Sequence, residues 1–301
     1  MANIIAVVWD FDKTLITGYM QDPMFKKFNV DGNLFWEEVN ALPQKYWDEQ
    51  KVKVNRDTIY LNHILKYVRE GKFPKLNNEM LREFGEKLTF YPGVLEILQK
   101  TKEMLSQNPS YSELDIKVEH YVVSTGLVKT ILGSQIMPHI THAWGCELLE
   151  SQDSDGDFVV SELGYTIDNT SKTRALFEIN KGSQQNEIDV NSNVPENLRR
   201  VHFKNMIYIA DGPSDVPAFS LVKKNGGATF AIYPKNDNSA FRQVEQLRKD
   251  GRIDMYAEAN YSEGTTANLW ITNKIKDLAD DIRNAEKAKF ASVSSAPKHL
   301  V

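Results

Sequence analysis

Short runs of consecutive apolar residues recur along this chain, and each run ends abruptly at polar residues. The runs lie at 4–9, 121–123, 206–210 and 228–233. Unbroken apolar runs are typical of parallel strands, because helices cover both faces of a parallel sheet. The pattern therefore predicts central strands of such a sheet.

Patterns typical of helices fill the spaces between these runs. They lie at 94–105, 171–181, 238–249 and 271–282. Strands that alternate with helices form βαβ units. We therefore expect an α/β fold with a doubly wound, Rossmann-like, mostly parallel sheet. The sequence pattern over 141–162 predicts a small additional β-hairpin.

The stretch from residue 16 to residue 89 interrupts the alternation, because it carries helical patterns and no convincing strand. Phe35 and Leu42 fall on one side of a predicted helix that ends at Pro43, a residue type that usually breaks helices. Residues 77–88 predict a further helix. The stretch is therefore expected to be helical throughout.

This helical insert suggests two domains, which the chain length of 301 residues allows. We expect residues 1–15 and 90–301 to form an α/β core and residues 16–89 to form a helical cap domain. The end of the chain, 287–301, is rich in Ser, Ala and Lys and is expected to be a flexible tail.

Charge and cysteine content exclude several classes of protein. Lys and Arg number 36 and Asp and Glu 41, giving a formal charge of −5, which argues against nucleic acid and anionic membranes as partners. Cys146 is the only cysteine, so an intramolecular disulfide is excluded. No apolar run approaches the ~20 residues of a membrane helix. We expect a soluble, cytoplasmic protein; nothing in the sequence indicates its oligomeric state.

Acidic residues follow two of the predicted strands. Asp10 and Asp12 come after the first run, and Asp211 and Asp215 come after the third. Ligands of open α/β sheets bind beyond the carboxyl ends of the strands, so these side chains are expected to share one crevice. Converging carboxylates repel each other unless a cation lies among them, and oxygen ligands favour Mg²⁺. The pattern indicates a magnesium site and phosphoryl chemistry.

Four motifs resemble those of the haloacid dehalogenase (HAD) superfamily of phosphohydrolases. The string Asp-Phe-Asp-Lys-Thr-Leu at 10–15 resembles the nucleophile motif, and the acidic string at 211–215 resembles the fourth motif. Ser124 and Lys172 lie between them, in the order of the second and third motifs. A helical insert after the first motif resembles the phosphoserine-phosphatase-like branch of that superfamily.

The resemblance implies a role for each motif residue. Asp10 would be the nucleophile that forms a phosphoaspartyl intermediate. Asp12 would protonate the leaving group and then activate water. Ser124 and Lys172 would hold the transferring phosphoryl oxygens. Lys181 and Lys204 are alternatives to Lys172 for the third motif.

The resemblance also implies the Mg²⁺ ligands. They would be Asp10, the backbone carbonyl of Asp12, and Asp211, while Asp215 would orient them or bind through water. This sequence has Ala210 where the fourth motif often begins with glycine, and alanine is small enough that no loss is expected.

We therefore expect a Mg²⁺-dependent phosphatase that acts on a small phosphorylated metabolite. Transfer of the phosphoryl group to an alcohol is a close alternative. A signalling module that accepts a phosphoryl group, as receiver domains do, is a second alternative, but such domains are about half this length and lack the insert. A catalytically silent binding protein is a third. A cation-pumping ATPase is excluded by the absence of apolar runs long enough to span a membrane.

Overall fold

The computed structural model describes residues 3–294 of the chain, with side chains up to residue 289. Its centre is a seven-stranded sheet with the order β4-β3-β2-β1-β5-β6-β7. The strands are β1 (Ile4–Trp9), β2 (Lys117–Leu127), β3 (Ile140–Gln152), β4 (Phe158–Tyr165), β5 (Met206–Ala210), β6 (Ala228–Tyr233) and β7 (Met255–Glu258). All neighbouring strands are parallel except β3 and β4.

The predicted doubly wound α/β fold is confirmed. Three predicted strands coincide with β1, β5 and β6, and the fourth lies inside the longer β2. The predicted hairpin is formed by β3 and β4. The core helices are α5 (Val94–Ser106), α6 (Pro109–Ser112), α7 (Val128–Leu132), α8 (Lys172–Lys181), α9 (Ser183–Asn186), α10 (Val216–Lys224), α11 (Asn238–Lys249) and α12 (Thr266–Ser294).

The register of the central strands determines where the motifs meet. Trp9 at the end of β1 pairs with Val122 of β2 on one side and with Ile209 of β5 on the other. Because these strands are parallel, their carboxyl ends lie side by side at one edge of the sheet. Asp10, Ser124 and Asp211 follow one or two residues later and therefore emerge at that edge.

Four helices lie between β1 and α5. They are α1 (Asp22–Phe28), α2 (Gly32–Gln50), α3 (Ile59–Arg69) and α4 (Asn78–Gly85). The predicted helix end at Pro43 is wrong, because α2 continues through that proline. A proline removes its own backbone hydrogen bond and crowds the carbonyl four residues before it. Here Leu42 before it and Tyr46 after it both pack on the core and hold the helix.

The insert packs closely against the core at its far end. A Cβ atom at Gly85 of α4 would lie 2.1 Å from the carbonyl oxygen of Thr130 in α7, and one at Gly133 would lie 1.9 Å from that of Arg82. Only glycine permits this backbone contact, so α4 is held against α7.

The end of the chain differs in part from the expectation of a flexible tail over 287–301. Helix α12 continues to Ser294, and residues 295–301 lie outside the described residues. None of the described helices is both long and apolar enough to cross a membrane.

Candidate active site

A buried ionic cluster lies at the carboxyl edge of the sheet. Lys172 Nζ donates to Asp10 Oδ1 at 2.7 Å and to Asp215 Oδ1 at 2.6 Å. Lys172 and Asp215 are fully buried, and Asp10 is 5% exposed. Burial alone would lower the pKa of Lys172, but the charges of Asp10 and Asp215 raise it above its usual value. The lysine is therefore a permanent cation between two acids.

Each member of this cluster is held by the end of a regular element. The backbone N–H of Asp10 donates to the carbonyl of Ile209 at 2.9 Å, which ties the residue after β1 to β5. Lys172 is the first residue of α8, and Asp215 directly precedes α10. The cluster thus joins three elements that are far apart in sequence.

The structure distinguishes Lys172 from the two alternative lysines. Lys181 donates to the backbone carbonyls of Val190 and Ser192, away from the cluster. Lys204 has an exposed side chain near the start of β5. Of the three, Lys172 is the lysine that contacts Asp10.

Three carboxylates lie close enough to share a cation. One oxygen from each of Asp10, Asp211 and Asp215 lies within 4.8 Å of the others. Burial, followed by the charges of Asp10 and Asp215, raises the pKa of Asp211 to about 8. Burial raises the pKa of Asp10 to about 6 despite the opposing charge of Lys172. One ammonium therefore does not balance these acids, and the oxygen donors suit a hard cation such as Mg²⁺.

Asp12 lies beside this cluster but outside it among the described residues. The backbone N–H of Met20 donates to Asp12 Oδ1 at 3.0 Å. Burial, followed by the charge of Asp10, raises the pKa of Asp12 well above its usual value. A carboxyl group with a raised pKa can carry a proton at neutral pH and give it to a neighbouring oxygen.

Ser124 is 2% exposed and lies two residues beyond the β2 partner of Trp9. Its Oγ accepts a hydrogen bond from the backbone N–H of Gly126 at 3.0 Å. The hydroxyl proton remains available for an acceptor in the crevice. The structure thus brings all the predicted site residues to one edge of the sheet.

Tyr208 contacts the cluster and was missed from the sequence. Its hydroxyl donates to Asp215 Oδ1 at 2.6 Å, the same oxygen that Lys172 contacts. Burial, followed by the charge of Asp215, raises the pKa of Tyr208, so the hydroxyl stays protonated. A signal existed, because a tyrosine inside a buried apolar strand needs a partner for its hydroxyl.

Residues of the insert contact the end of β2, directly after Ser124. Met20 packs so closely that a Cβ atom at Gly126 would lie 2.1 Å from its methyl carbon, and its Sδ accepts from the backbone N–H of Leu127. From α3, the hydroxyl of Tyr60 donates to the carbonyl of Thr125 at 2.8 Å. In the cluster itself, Asp10 and Asp215 are buried and Asp211 is partly exposed.

Comparisons with known proteins identify relatives of the chain and of its fold. No family model matches the chain. An uncharacterised protein of Borreliella burgdorferi is 40% identical over 286 residues, which span 91% of this chain and 97% of that protein. Among solved structures, a HAD-family hydrolase of Salmonella enterica serovar Typhi matches with a TM-score of 0.52 and 14% identity, covering 85% of this chain and 67% of that one. The chain therefore belongs to one family with the Borreliella burgdorferi protein and has the fold of HAD-family hydrolases.

Proposed function

We propose that the protein is a Mg²⁺-dependent phosphatase that hydrolyses a small phosphorylated metabolite through a phosphoaspartyl intermediate on Asp10. The observation that carries the proposal is the buried contact between Asp10 and Lys172, with Asp211 and Asp215 beside it. An anionic nucleophile, a fixed cation and additional carboxylates in one crevice suit phosphoryl transfer, which depends on positioning and on charge stabilisation.

Asp10 Oδ2 is the oxygen that we propose attacks phosphorus. Lys172 contacts Oδ1, whereas Oδ2 lies 3.5 Å from the hydroxyl of Thr14, and the backbone N–H of Phe11 also donates to the carboxylate. In the first step Oδ2 forms a bond to phosphorus, and the bond from phosphorus to the leaving oxygen breaks. The electron pair of that bond goes to the leaving oxygen.

Asp12 supplies and then removes a proton. Its raised pKa favours the protonated form, which can donate to the leaving oxygen in the first step. The resulting carboxylate then takes a proton from water as the water oxygen attacks phosphorus. The bond between Asp10 and phosphorus breaks, which restores the Asp10 carboxylate and the protonated Asp12.

Lys172 and Ser124 hold the transferring group. The Lys172 ammonium is fixed by Asp215, so it needs no rearrangement when charge develops on the phosphoryl oxygens. The hydroxyl of Ser124 would supply a second donor to the same group. Asp10, the backbone carbonyl of Asp12, Asp211 and Asp215 would hold Mg²⁺, which supplies positive charge to the phosphoryl oxygens when bound.

The insert over 16–89 would act as a cap that closes over the substrate. Met20 and Tyr60 contact residues 125–127, directly after Ser124, so the insert lies beside the proposed site, which favours a small substrate over a polymer.

We also propose a cytoplasmic location. Cys146, the only cysteine, is buried and free, and a chain without an intramolecular disulfide suits a reducing compartment.

A direct test is hydrolysis of an aryl phosphate with and without Mg²⁺. We expect phosphate release that requires Mg²⁺ and stops on chelation. Added glycerol distinguishes the acceptors, because a phosphotransferase would yield glycerol phosphate and a hydrolase would release free phosphate. Absence of Mg²⁺-dependent activity on the aryl compound and on a panel of phosphorylated metabolites would contradict the proposal.

A further inference from the structure

The segment between α2 and α3 contacts the core next to both proposed phosphate-holding residues. Asn55 and Asp57 bind the loop that precedes Lys172. Tyr60, at the start of α3, binds the carbonyl of Thr125, the residue after Ser124. The contacts join residues 65 to 113 positions apart in sequence.

Asp168 organises the turn that delivers Lys172 to the site. Its Oδ1 accepts from the backbone N–H groups of Thr170 at 3.0 Å and Ser171 at 2.7 Å. Its backbone carbonyl accepts from the N–H of Lys172 at 3.0 Å. The hydrogen bonds from Ser171 lower the pKa of Asp168, so the group is ionised. The position of the Lys172 backbone therefore depends on Asp168.

The insert holds Asp168 through its other oxygen. Asn55 Nδ2 donates to Asp168 Oδ2 at 2.9 Å, and Asp57 Oδ2 accepts from the backbone N–H of Asn169 at 2.9 Å. Asn55 Oδ1 also accepts from the backbone N–H of Asp57 at 2.9 Å, which orients the Asn55 side chain relative to the backbone at Asp57. Asn55 and Asp57 of the insert thus contact two successive residues of the core.

We propose that Asn55 and Asp57 are positioning residues that place the Lys172 ammonium for phosphate binding only while the insert is closed. The proposal rests on the proposed phosphatase function. At its far end the insert is held by the backbone contact of α4 with α7, whereas Asn55 contacts the core through an exposed hydrogen bond, so we place the movement at the segment containing Asn55. Release of that segment would free Asp168 and loosen the turn before Lys172.

The test uses an exchange of donor and acceptor. Asn55→Asp places a carboxylate against the Asp168 carboxylate and should break the contact. The double variant Asn55→Asp with Asp168→Asn should restore it, because the new amide at position 168 can donate to the new carboxylate at position 55. Its oxygen can still accept from Thr170 and Ser171. Gln44→Ala is the matched control, since Gln44 donates to Asp48 within α2 and touches no core residue through that bond.

The activity readout is competitive inhibition of aryl phosphate hydrolysis by inorganic phosphate. Because this contact is solvent-exposed, Asn55→Asp should raise the inhibition constant and KM by about threefold to fivefold. We expect kcat to fall as well, because Lys172 stabilises charge that develops on the phosphoryl oxygens. The double variant should return these constants to the wild-type values, and Gln44→Ala should match wild type. A single variant with unchanged constants, or a double variant as impaired as the single one, would overturn the proposal.

Hydrogen exchange gives a readout that does not need activity. Amides of the peptide around Thr170 and Ser171 should exchange about tenfold faster in Asn55→Asp and recover in the double variant. If Asn55→Asp does not fold, Asn55→Ala takes its place in both measurements. Wild-type protein that lacks phosphatase activity but shows this exchange pattern would refute the function and leave the coupling standing. Unchanged exchange in an active enzyme would refute the coupling alone.

Discussion

Trp9 and Asp10 are neighbours at the end of β1, but Trp9 belongs to a neutral buried hydrogen-bond network and Asp10 to a charged one. The indole N–H of Trp9 donates to Nδ1 of His120 at 3.2 Å, and Nε2 of His120 lies 3.1 Å from the carbonyl oxygen of Leu98. This group is neutral and each polar atom has a partner. Asp10 belongs instead to a cluster of three carboxylates, two of which contact the ammonium of Lys172.

The difference separates stability from function. A buried polar network that is neutral and fully hydrogen-bonded has little to gain from any ligand. A buried cluster with excess negative charge is a cost to the folded protein, which a cation or a reaction can relieve. Changes to the first kind should therefore appear in stability alone, whereas changes to the second should appear in activity and metal binding as well as in stability.

The largest expected effect is on activity and comes from Asp10→Asn. The amide is nearly isosteric and can still accept from Lys172, but it cannot form the bond to phosphorus. We expect kcat on an aryl phosphate to fall at least about a thousandfold, with the free energy of unfolding changed by less than about 1 kcal/mol. Residual kcat within tenfold of wild type would remove Asp10 as the nucleophile.

The next effect is on stability and comes from Lys172→Met. Removal of the ammonium leaves Asp10 and Asp215 buried with no cation between them, which typically costs about 3–5 kcal/mol. Urea denaturation at neutral pH without added Mg²⁺ measures this loss. Lys181→Met is the control, because Lys181 contacts only backbone carbonyls near the surface and should cost about 1 kcal/mol. Equal losses in both variants would contradict the account of the cluster.

His120 should make the fold sensitive to acid. Burial lowers its pKa to about 3, and the indole N–H of Trp9 occupies the nitrogen that a second proton would need. Below about pH 6.5 His120 binds a proton in the unfolded chain but not in the folded protein. The free energy of unfolding should therefore fall as the pH drops from about 6.5 towards 3, by up to ~1.4 kcal/mol per pH unit. Urea midpoints of wild type and His120→Gln across this range check it; parallel pH curves would contradict it.

The smallest expected effect is an increase in stability, and it comes from Asp211→Asn. Asp211→Asn removes one of the repelling carboxylates, so the protein without Mg²⁺ should become more stable by roughly 1 kcal/mol. The same variant should need at least about tenfold more Mg²⁺ for half-maximal activity. Asp155→Asn, in the exposed turn between β3 and β4, is the control and should change neither quantity. An unchanged Mg²⁺ requirement in Asp211→Asn would place the metal elsewhere.

The pattern of apolar residues predicted the strands at the centre of the sheet but missed a strand at its edge. β1, β5 and β6 are unbroken apolar runs, and their ends were predicted from the residues alone. The four-residue strand β7 was missed because it carries only one fully buried residue, Ala257. Pro43 was misread because a helix interior can lose one hydrogen bond when the residues around it pack well.

The acids of the site were predictable, and the groups that hold them were only partly so. Strand ends converge in any parallel sheet, so Asp10 and Asp211 follow from the pattern of the strands. Contacts such as that of Asn55 with Asp168 join residues 113 positions apart, and no local pattern encodes them. Local sequence shows which residues end an element, while tertiary packing decides which distant residues meet there.

The most direct test of the central claim is chemical trapping of the phosphorylated enzyme. Protein quenched during turnover of an aryl phosphate with Mg²⁺ is treated with borohydride, which reduces an acyl phosphate to the alcohol, and the peptide containing 10–15 is read by mass spectrometry. We predict homoserine at Asp10 and none in a sample without substrate. Reduction at a different carboxylate, or none at all while phosphate is being released, would contradict the account.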